Sequence, residues 1–203
     1  MKVNGRIEVI TGSMFSGKTT EWARRLEREK IARRKVIHFK PEFENRYGKN
    51  IVADRNKKNV IEANLLPVNG TPEDIENIMN LTKDYDVVGI DEVMFLGPWV
   101  IELCERLRKN GKKVVVNGLD MTYESKPFGC MGDLMAIADD VSKLHAVCMQ
   151  CGEDALYNQR LLDGKPAPLG DLVEIGDNIE NAKKISYEAR CINCFIPPEE
   201  VEK

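Results

Sequence analysis

The stretch Gly12-Ser13-Met14-Phe15-Ser16-Gly17-Lys18-Thr19 (GSMFSGKT) decides how the rest of the chain is read. It matches G-x-x-x-x-G-K-[S/T], and its setting is the one that gives this pattern meaning. RIEVIT (6–11) reads as a short buried strand before it, and TEWARRLEREK opens a helix predicted to run to about Arg34. Glycine allows the backbone to turn its N–H groups toward phosphate oxygens, and the helix N-terminus adds partial positive charge. Lys18 is placed to reach β- and γ-phosphates, and the Thr19 hydroxyl to coordinate Mg²⁺. A chance glycine turn would not combine strand, lysine and helix in this order.

Working outward, KVIHFKP (35–41) is a second strand, stopped by proline. EFENRYGKNIVADRNKKN is polar and poorly periodic, and reads as a long functional loop or hairpin. TPEDIENIMNLTKDY opens a helix with Thr71 as cap and Pro72 at its first position. YDVVGIDEVMF is an apolar strand ending in Asp91 and Glu92, PWVIELCERLRKN a helix closed by Gly111, and KVVVNGLDM a further strand. FGCMGDLMAIADDV predicts a short helix. Strands alternating with helices, with the strands continuously apolar, predict an α/β fold: a P-loop NTPase-like parallel sheet covered by helices on both faces. After about His145 the composition shifts to CxxC pairs, turns and short strand-like runs, which predict a small zinc-binding β module. The expected division is a nucleotide-binding domain over 1–144, the zinc module with a substrate-covering loop over 145–195, and a tail over 196–203.

Bulk composition narrows the function. The chain has 203 residues, 42% hydrophobic and 31% charged, enough for one principal domain with an appendage. A net charge of -3 and a pI near 5.6 argue against a nucleic-acid partner, whose phosphates call for a basic surface. Arg24, Arg25, Arg28 and Lys30 are interleaved with Glu21, Glu27 and Glu29, which reads as a mixed, solvated helix face. No apolar run reaches membrane-spanning length and MKVNGRIEVITG carries no signal-like core, so a cytoplasmic protein without a membrane partner is expected.

The second half of a nucleotide site is a carboxylate at the tip of a neighbouring strand. Asp91 is placed to hold Mg²⁺ through its water shell, and Glu92 to take a proton from an attacking hydroxyl. An adjacent Asp-Glu pair also occurs in ATPases that activate water, so transfer and hydrolysis both remain open from the pattern alone. Cys148-x-x-Cys151 and Cys191-x-x-Cys194 are metal-knuckle spacings whose four thiolates suit a closed, tetrahedral, structural Zn²⁺. A redox CxxC is the competing reading. The gap between the pairs exceeds that of the commonest four-cysteine sites. Cys104 reads as a packing residue and Cys130 as a loop thiol.

Taken together, GSMFSGKTTEWARRL, FKPEFENRYG, GIDEVMF, GLDMTYESKPFG, KLHAVCMQCG and SYEARCINC resemble the cytosolic, zinc-containing, P-loop type of thymidine kinase, over about residues 6 to 195. The resemblance implies ATP- and Mg²⁺-dependent phosphorylation of the 5′-hydroxyl of thymidine, with deoxyuridine also accepted. By motif it places Gly12, Ser13, Met14, Phe15, Ser16, Gly17, Lys18 and Thr19 on the ATP phosphates, and Asp91, Glu92, Val93 and Met94 in the second nucleotide segment. It makes Glu92 the general base, puts Arg46 near the transferring phosphate, and makes Cys148, Cys151, Cys191 and Cys194 the Zn²⁺ ligands. It puts Leu119, Tyr123 and Phe128 beside the nucleoside, and Leu172, Val173, Glu174, Ile175, Gly176 and Tyr187 in the loop that closes over the base. Without the resemblance, Tyr123, Phe128 and Tyr187 read as core. The resemblance also implies a homotetramer. Four departures stand out: Met94 replaces a glutamine, Glu44 an aspartate and Ala53 a histidine, and DNIENAKKI is inserted in the covering loop. Two alternatives follow: a deoxynucleoside kinase of shifted base preference, and a zinc-containing nucleotide-dependent regulator.

Overall fold

The computed structural model describes residues 5–43, 50–53, 60–170 and 185–200. Its contacts group the chain into two compact units. One comprises Met1–Thr11, Gly17–Gly118 and Gly129–Lys143, the other Gly12–Ser16, Leu119–Phe128 and Leu144–Lys203.

The first unit is built on strands β1 (Arg6–Gly12), β2 (Val36–Pro41), β5 (Asn64–Leu66), β6 (Val87–Ile90), β7 (Lys113–Gly118) and β8 (Asp140–Leu144), ordered β5-β2-β6-β7-β1-β8. Every pairing from β5 across to β1 is parallel. Parallel strands need both faces covered, and the sequence meets that need with Ile7, Val9, Ile10, Val87, Val88, Ile90, Val114, Val115 and Val116, all fully buried. The helices α1 (Lys18–Ile31), α2 (Pro72–Leu81), α3 (Trp99–Lys109) and α4 (Met131–Ile137) supply the cover. Gly89 in β6 marks where α1 comes closest: a Cβ there would lie 2.7 Å from Leu26 Cδ1 and 2.8 Å from Trp22 Cζ2. α2 starts at a capping box in which the Asp74 N–H donates to Thr71 Oγ1 and the Thr71 N–H to the Asp74 carboxylate. The polar stretch after β2 contains an antiparallel hairpin of β3 (Ile51–Ala53) and β4 (Val60–Glu62).

Two local expectations need correction. α1 ends at Ile31, short of Arg34, because Ala32 caps it and Arg33 turns left-handed at φ 60°. Its charged face is also not uniformly solvated. Glu8 points inward from β1 at 5% exposure and needs counter-charges. Arg25 at 3.2 Å and Lys113 at 2.9 Å provide them, and Lys113 also reaches the buried Glu29, which pairs with Arg34. Arg24 and Arg28 stay exposed, as expected.

His38 on β2 gives this unit a pH-sensitive position. It is buried edge-on against Trp22, and its Nε2 has no hydrogen-bond partner among the described residues. Burial, helped by the Lys30 charge, lowers its pKa from 6.5 to about 4. The unfolded chain therefore takes up this proton at higher pH than the folded one. Stability falls as pH drops through 6.5 and stops falling on this account below about 4, a loss of about 3 kcal/mol. Urea unfolding at pH 7 and pH 4.5 is expected to show a shallower loss in His38→Phe than in the wild type; equal slopes sink the assignment.

The second unit contains β9 (Ala146–Val147) paired with β10 (Asp154–Ala155), and a three-stranded sheet of β12 (Lys165–Pro166), β11 (Tyr157–Leu162) and β13 (Ile185–Arg190). β11 carries Asn158, Gln159 and Arg160, all buried. Gln159 holds the Ile196 backbone from both sides, accepting its N–H at 2.8 Å and donating to its carbonyl at 3.2 Å. Phe195 stacks on Tyr157 at 4.7 Å. Among the described residues no helix is long and apolar enough to cross a membrane.

Candidate functional site

The glycine loop takes conformations that explain its sequence. Gly12, Phe15 and Gly17 have φ of 138°, 66° and 85°. At Gly12 a Cβ would lie 2.0 Å from the Leu144 carbonyl oxygen, so no other residue fits. Ser13 Oγ donates to the Ala155 carbonyl at 3.0 Å, and the Met14 N–H donates to Asn158 Oδ1 at 2.7 Å. Ser16 donates through both its N–H and its hydroxyl to the Ser13 carbonyl, which closes the turn. Gly17 is the left-handed cap of α1, and the Glu21 N–H donates back to its carbonyl. Lys18 and Thr19 follow at the first positions of the helix, both half-buried. A helix end of this kind aims backbone donors at an anion.

Sheet register places the carboxylates at the same edge. Thr11 of β1 is level with Gly118 of β7, and Ile90 of β6 is level with Val116. β7 alone separates β6 from β1, so the two strand ends stand two spacings, about 10 Å, apart. Ligands of open parallel sheets bind at this carboxyl edge. Asp91 is 5% exposed one residue past β6, its N–H donating to the Phe39 carbonyl at 2.9 Å. Glu92 is left-handed, φ 50° and ψ 41°, at the start of a single 3₁₀ turn over Val93–Phe95. A non-glycine residue held there costs of order 1–3 kcal/mol and is maintained only by its surroundings. Val93 and Met94 turn inward and are buried. The Met94 sulfur would lie 3.0 Å from a Cβ at Gly118, and its carbonyl oxygen 2.1 Å from one at Gly129, whose φ is 50°. Where the resemblance implies a glutamine, this chain has a packing residue.

In the second unit, Leu119–Phe128 folds back on itself: the Thr122 N–H bonds to the Lys126 carbonyl, and the Phe128 N–H to that of Asp120. Tyr123 is buried. Its hydroxyl donates to the Gly170 carbonyl at 2.8 Å and accepts the Gly170 N–H at 3.0 Å. The Arg160 guanidinium lies 5.0 Å from the centre of its ring. Tyr187 is half-buried on β13, directly opposite Arg160 of β11. The structure thus gathers Tyr123, Arg160 and Tyr187, with Leu119 and Phe128 half-buried on the same folded segment as Tyr123. Arg160 and Asn158 were missed by the sequence reading. Three consecutive polar residues inside a strand, Asn158-Gln159-Arg160, were the one available signal. Arg46 and the loop residues Leu172, Val173, Glu174, Ile175 and Gly176, like Glu44, lie outside the described residues.

The four cysteines converge. The Sγ atoms of Cys148, Cys151, Cys191 and Cys194 all lie within 4.8 Å of one another, and those of Cys151 and Cys191 are 3.5 Å apart. A tetrahedral ion with bonds of about 2.3 Å to sulfur needs sulfurs roughly 3.8 Å apart, so the cluster fits a closed four-sulfur metal site. Its frame is backbone: Cys148 N–H to Glu153 O at 2.7 Å, Gly152 N–H to Cys148 O at 2.9 Å, and Cys194 N–H to Cys191 O at 3.1 Å. The Met149 N–H to Ala189 carbonyl bond joins one knuckle to the other. Burial works against the Cys148 thiolate, but the backbone groups of Cys191, Gln150 and Cys151 outweigh it and bring its pKa down to about 6. The bond to Cys151 and burial push Cys194 up to about 12. Four sulfurs so close cannot all ionise without a cation between them, and a cation is what they are arranged to hold. Among the described residues, the long gap between the pairs carries β10, β11, β12 and β13. Of the other two thiols, burial pushes Cys104 well up and Cys130 up to about 11, so both are unreactive.

A family model described as thymidine kinase matches residues 5–195 of the chain, nearly its whole length.

Proposed function

The chain belongs to the thymidine kinase family, and from that premise we propose that it transfers the γ-phosphoryl group of ATP to the 5′-hydroxyl of thymidine, with deoxyuridine as a second substrate. The supporting observation is the turn at Asp91–Glu92, with Glu92 held left-handed at the carboxyl edge of the sheet and one strand, β7, between β6 and the strand that feeds the glycine loop. The loop amides and Lys18 bind the ATP phosphates, with the Asp91–Met94 turn as the second nucleotide segment. The Thr19 hydroxyl and Asp91 would hold Mg²⁺, which would supply charge neutralisation on the β- and γ-phosphates. Glu92 accepts the 5′-hydroxyl proton as the new O–P bond forms and the bond from phosphorus to the ADP oxygen breaks. Arg46 stabilises the charge on the transferring group. Leu119, Tyr123, Phe128, Tyr187 and residues 172–176 surround the nucleoside and exclude the water that would otherwise consume ATP. Zn²⁺ on the four cysteines is structural.

A second reading is favoured by Met94. A buried thioether stands where the resemblance implies a glutamine, so the same scaffold would phosphorylate a deoxynucleoside of different base. A panel of thymidine, deoxyuridine, deoxycytidine and purine deoxynucleosides with ATP and Mg²⁺ decides between them by monophosphate formation. Thymidine is expected first and deoxyuridine second. Preference for deoxycytidine or a purine supports the shifted scaffold, and ATP hydrolysis with no nucleoside phosphorylated overturns both.

A further inference from the structure

Asn158 makes two hydrogen bonds that no motif announces. It lies on β11 at 3% exposure. Its Oδ1 accepts the Met14 N–H at 2.7 Å, and its Nδ2 donates to the Met121 carbonyl at 2.9 Å. The two partners fix the amide orientation, because an N–H requires the oxygen and a carbonyl requires the nitrogen. A flipped amide would lose both bonds. One side chain thus ties the backbone of the glycine loop to the backbone of Leu119–Phe128. Ser13, bonded to Ala155 just before β11, anchors the loop to the same strand region. The Met14 N–H is spent on this tie, so phosphate recognition is left to the amides that follow it.

We propose that Asn158 is a positioning residue that holds the phosphate loop and the 119–128 segment in fixed register, so that nucleotide bound at the loop orders the segment beside the nucleoside. The inference rests on the nucleotide and nucleoside roles given to these segments under Proposed function. Asn158 acts through the two backbones it holds. Its effect is geometric, and a displacement of about 1 Å between reacting groups is enough to cost about 10²-fold in rate.

Two variants of the full chain separate the bonds. Asn158→Leu keeps the branched shape and removes both bonds, leaving a part-buried N–H and a part-buried carbonyl without this partner. Asn158→Asp keeps the acceptor for Met14 and sets an oxygen against the Met121 carbonyl. Hydrogen exchange at 119–128 is measured with and without Mg²⁺ and a non-hydrolysable ATP analogue, alongside kcat and KM for the nucleoside. In the wild type the analogue is expected to slow exchange at 119–128. In Asn158→Asp the analogue still binds within about threefold, yet that slowing disappears and KM for the nucleoside rises about tenfold. In Asn158→Leu kcat/KM falls about 10²-fold. Should the Leu variant not fold, the Asp variant alone decides. Wild-type slowing at 119–128 in either folded variant overturns the proposal, as does a wild type that binds the analogue with no slowing there. A wild type that binds the analogue but phosphorylates no nucleoside overturns the proposed activity, while the exchange result still judges Asn158. A wild type that binds no analogue overturns both.

Discussion

Glu92→Gln is expected to abolish phosphoryl transfer while leaving Mg²⁺-ATP binding within about twofold, a loss of about 10²–10⁴ in kcat. The substitution keeps size and hydrogen-bonding reach but removes the carboxylate proposed to accept the 5′-hydroxyl proton. It also leaves the backbone alone: the left-handed turn is held by the Phe95 N–H to Glu92 carbonyl bond and by the buried Val93 and Met94. Loss of rate therefore reports the carboxylate and not a collapsed turn. Single-turnover phosphorylation with saturating ATP measures the chemical step, and titration with a non-hydrolysable analogue measures binding. Turnover within threefold of wild type removes Glu92 from the base role. A parallel loss of nucleotide affinity assigns it to metal or phosphate binding instead.

Removal of the zinc proposed for the four cysteines is expected to unfold their knuckles. The cluster around them contains Ala146, Cys148, Ala155, Ala189 and Cys191, with Cys194 at its margin. Alanines and thiols bury too little apolar surface to close such a module by themselves. Structural zinc contributes about 10–16 kcal/mol of apparent binding free energy in zinc-finger peptides, far more than this packing supplies. Chelation, or Cys191→Ser, is expected to release about one zinc ion per chain and to raise hydrogen exchange at 146–155 and 189–195 to near unprotected rates. Activity should disappear with it, since the loop residue Ser13 is bonded to the Ala155 carbonyl beside the knuckle. Protein stripped of metal that keeps native protection in those segments disproves the structural role.

Much of this was readable in advance because its chemistry is local. The glycine loop, the capping box at Thr71 and each CxxC pair are constrained within a few residues, so spacing carries the information. The sheet was equally legible, since Val87-Val88 and Val114-Val115-Val116 leave no polar face for water. The charged face of α1 was not: Arg25 and Glu29 look like their solvated neighbours until Glu8 and Lys113 are brought beneath them. Cys104 and Cys130 show the converse, a bland reading that the buried surroundings support.

From sequence alone came the P-loop sheet, the pairing of a lysine-bearing loop with a strand-end carboxylate pair, the two metal knuckles, and the resemblance that joined them. Tertiary structure alone decided the left-handed turn at Glu92, the packing role of Met94, the stacking of Arg160 on Tyr123 and the double tie made by Asn158. Residues 14 and 158 are 144 positions apart. Whether an amide on β11 meets a loop N–H depends on strand register and the fold of the whole unit, and no local propensity encodes that. A polar residue in a strand reads the same in sequence whether it faces water or holds two backbones together; only burial and its partners tell the two apart.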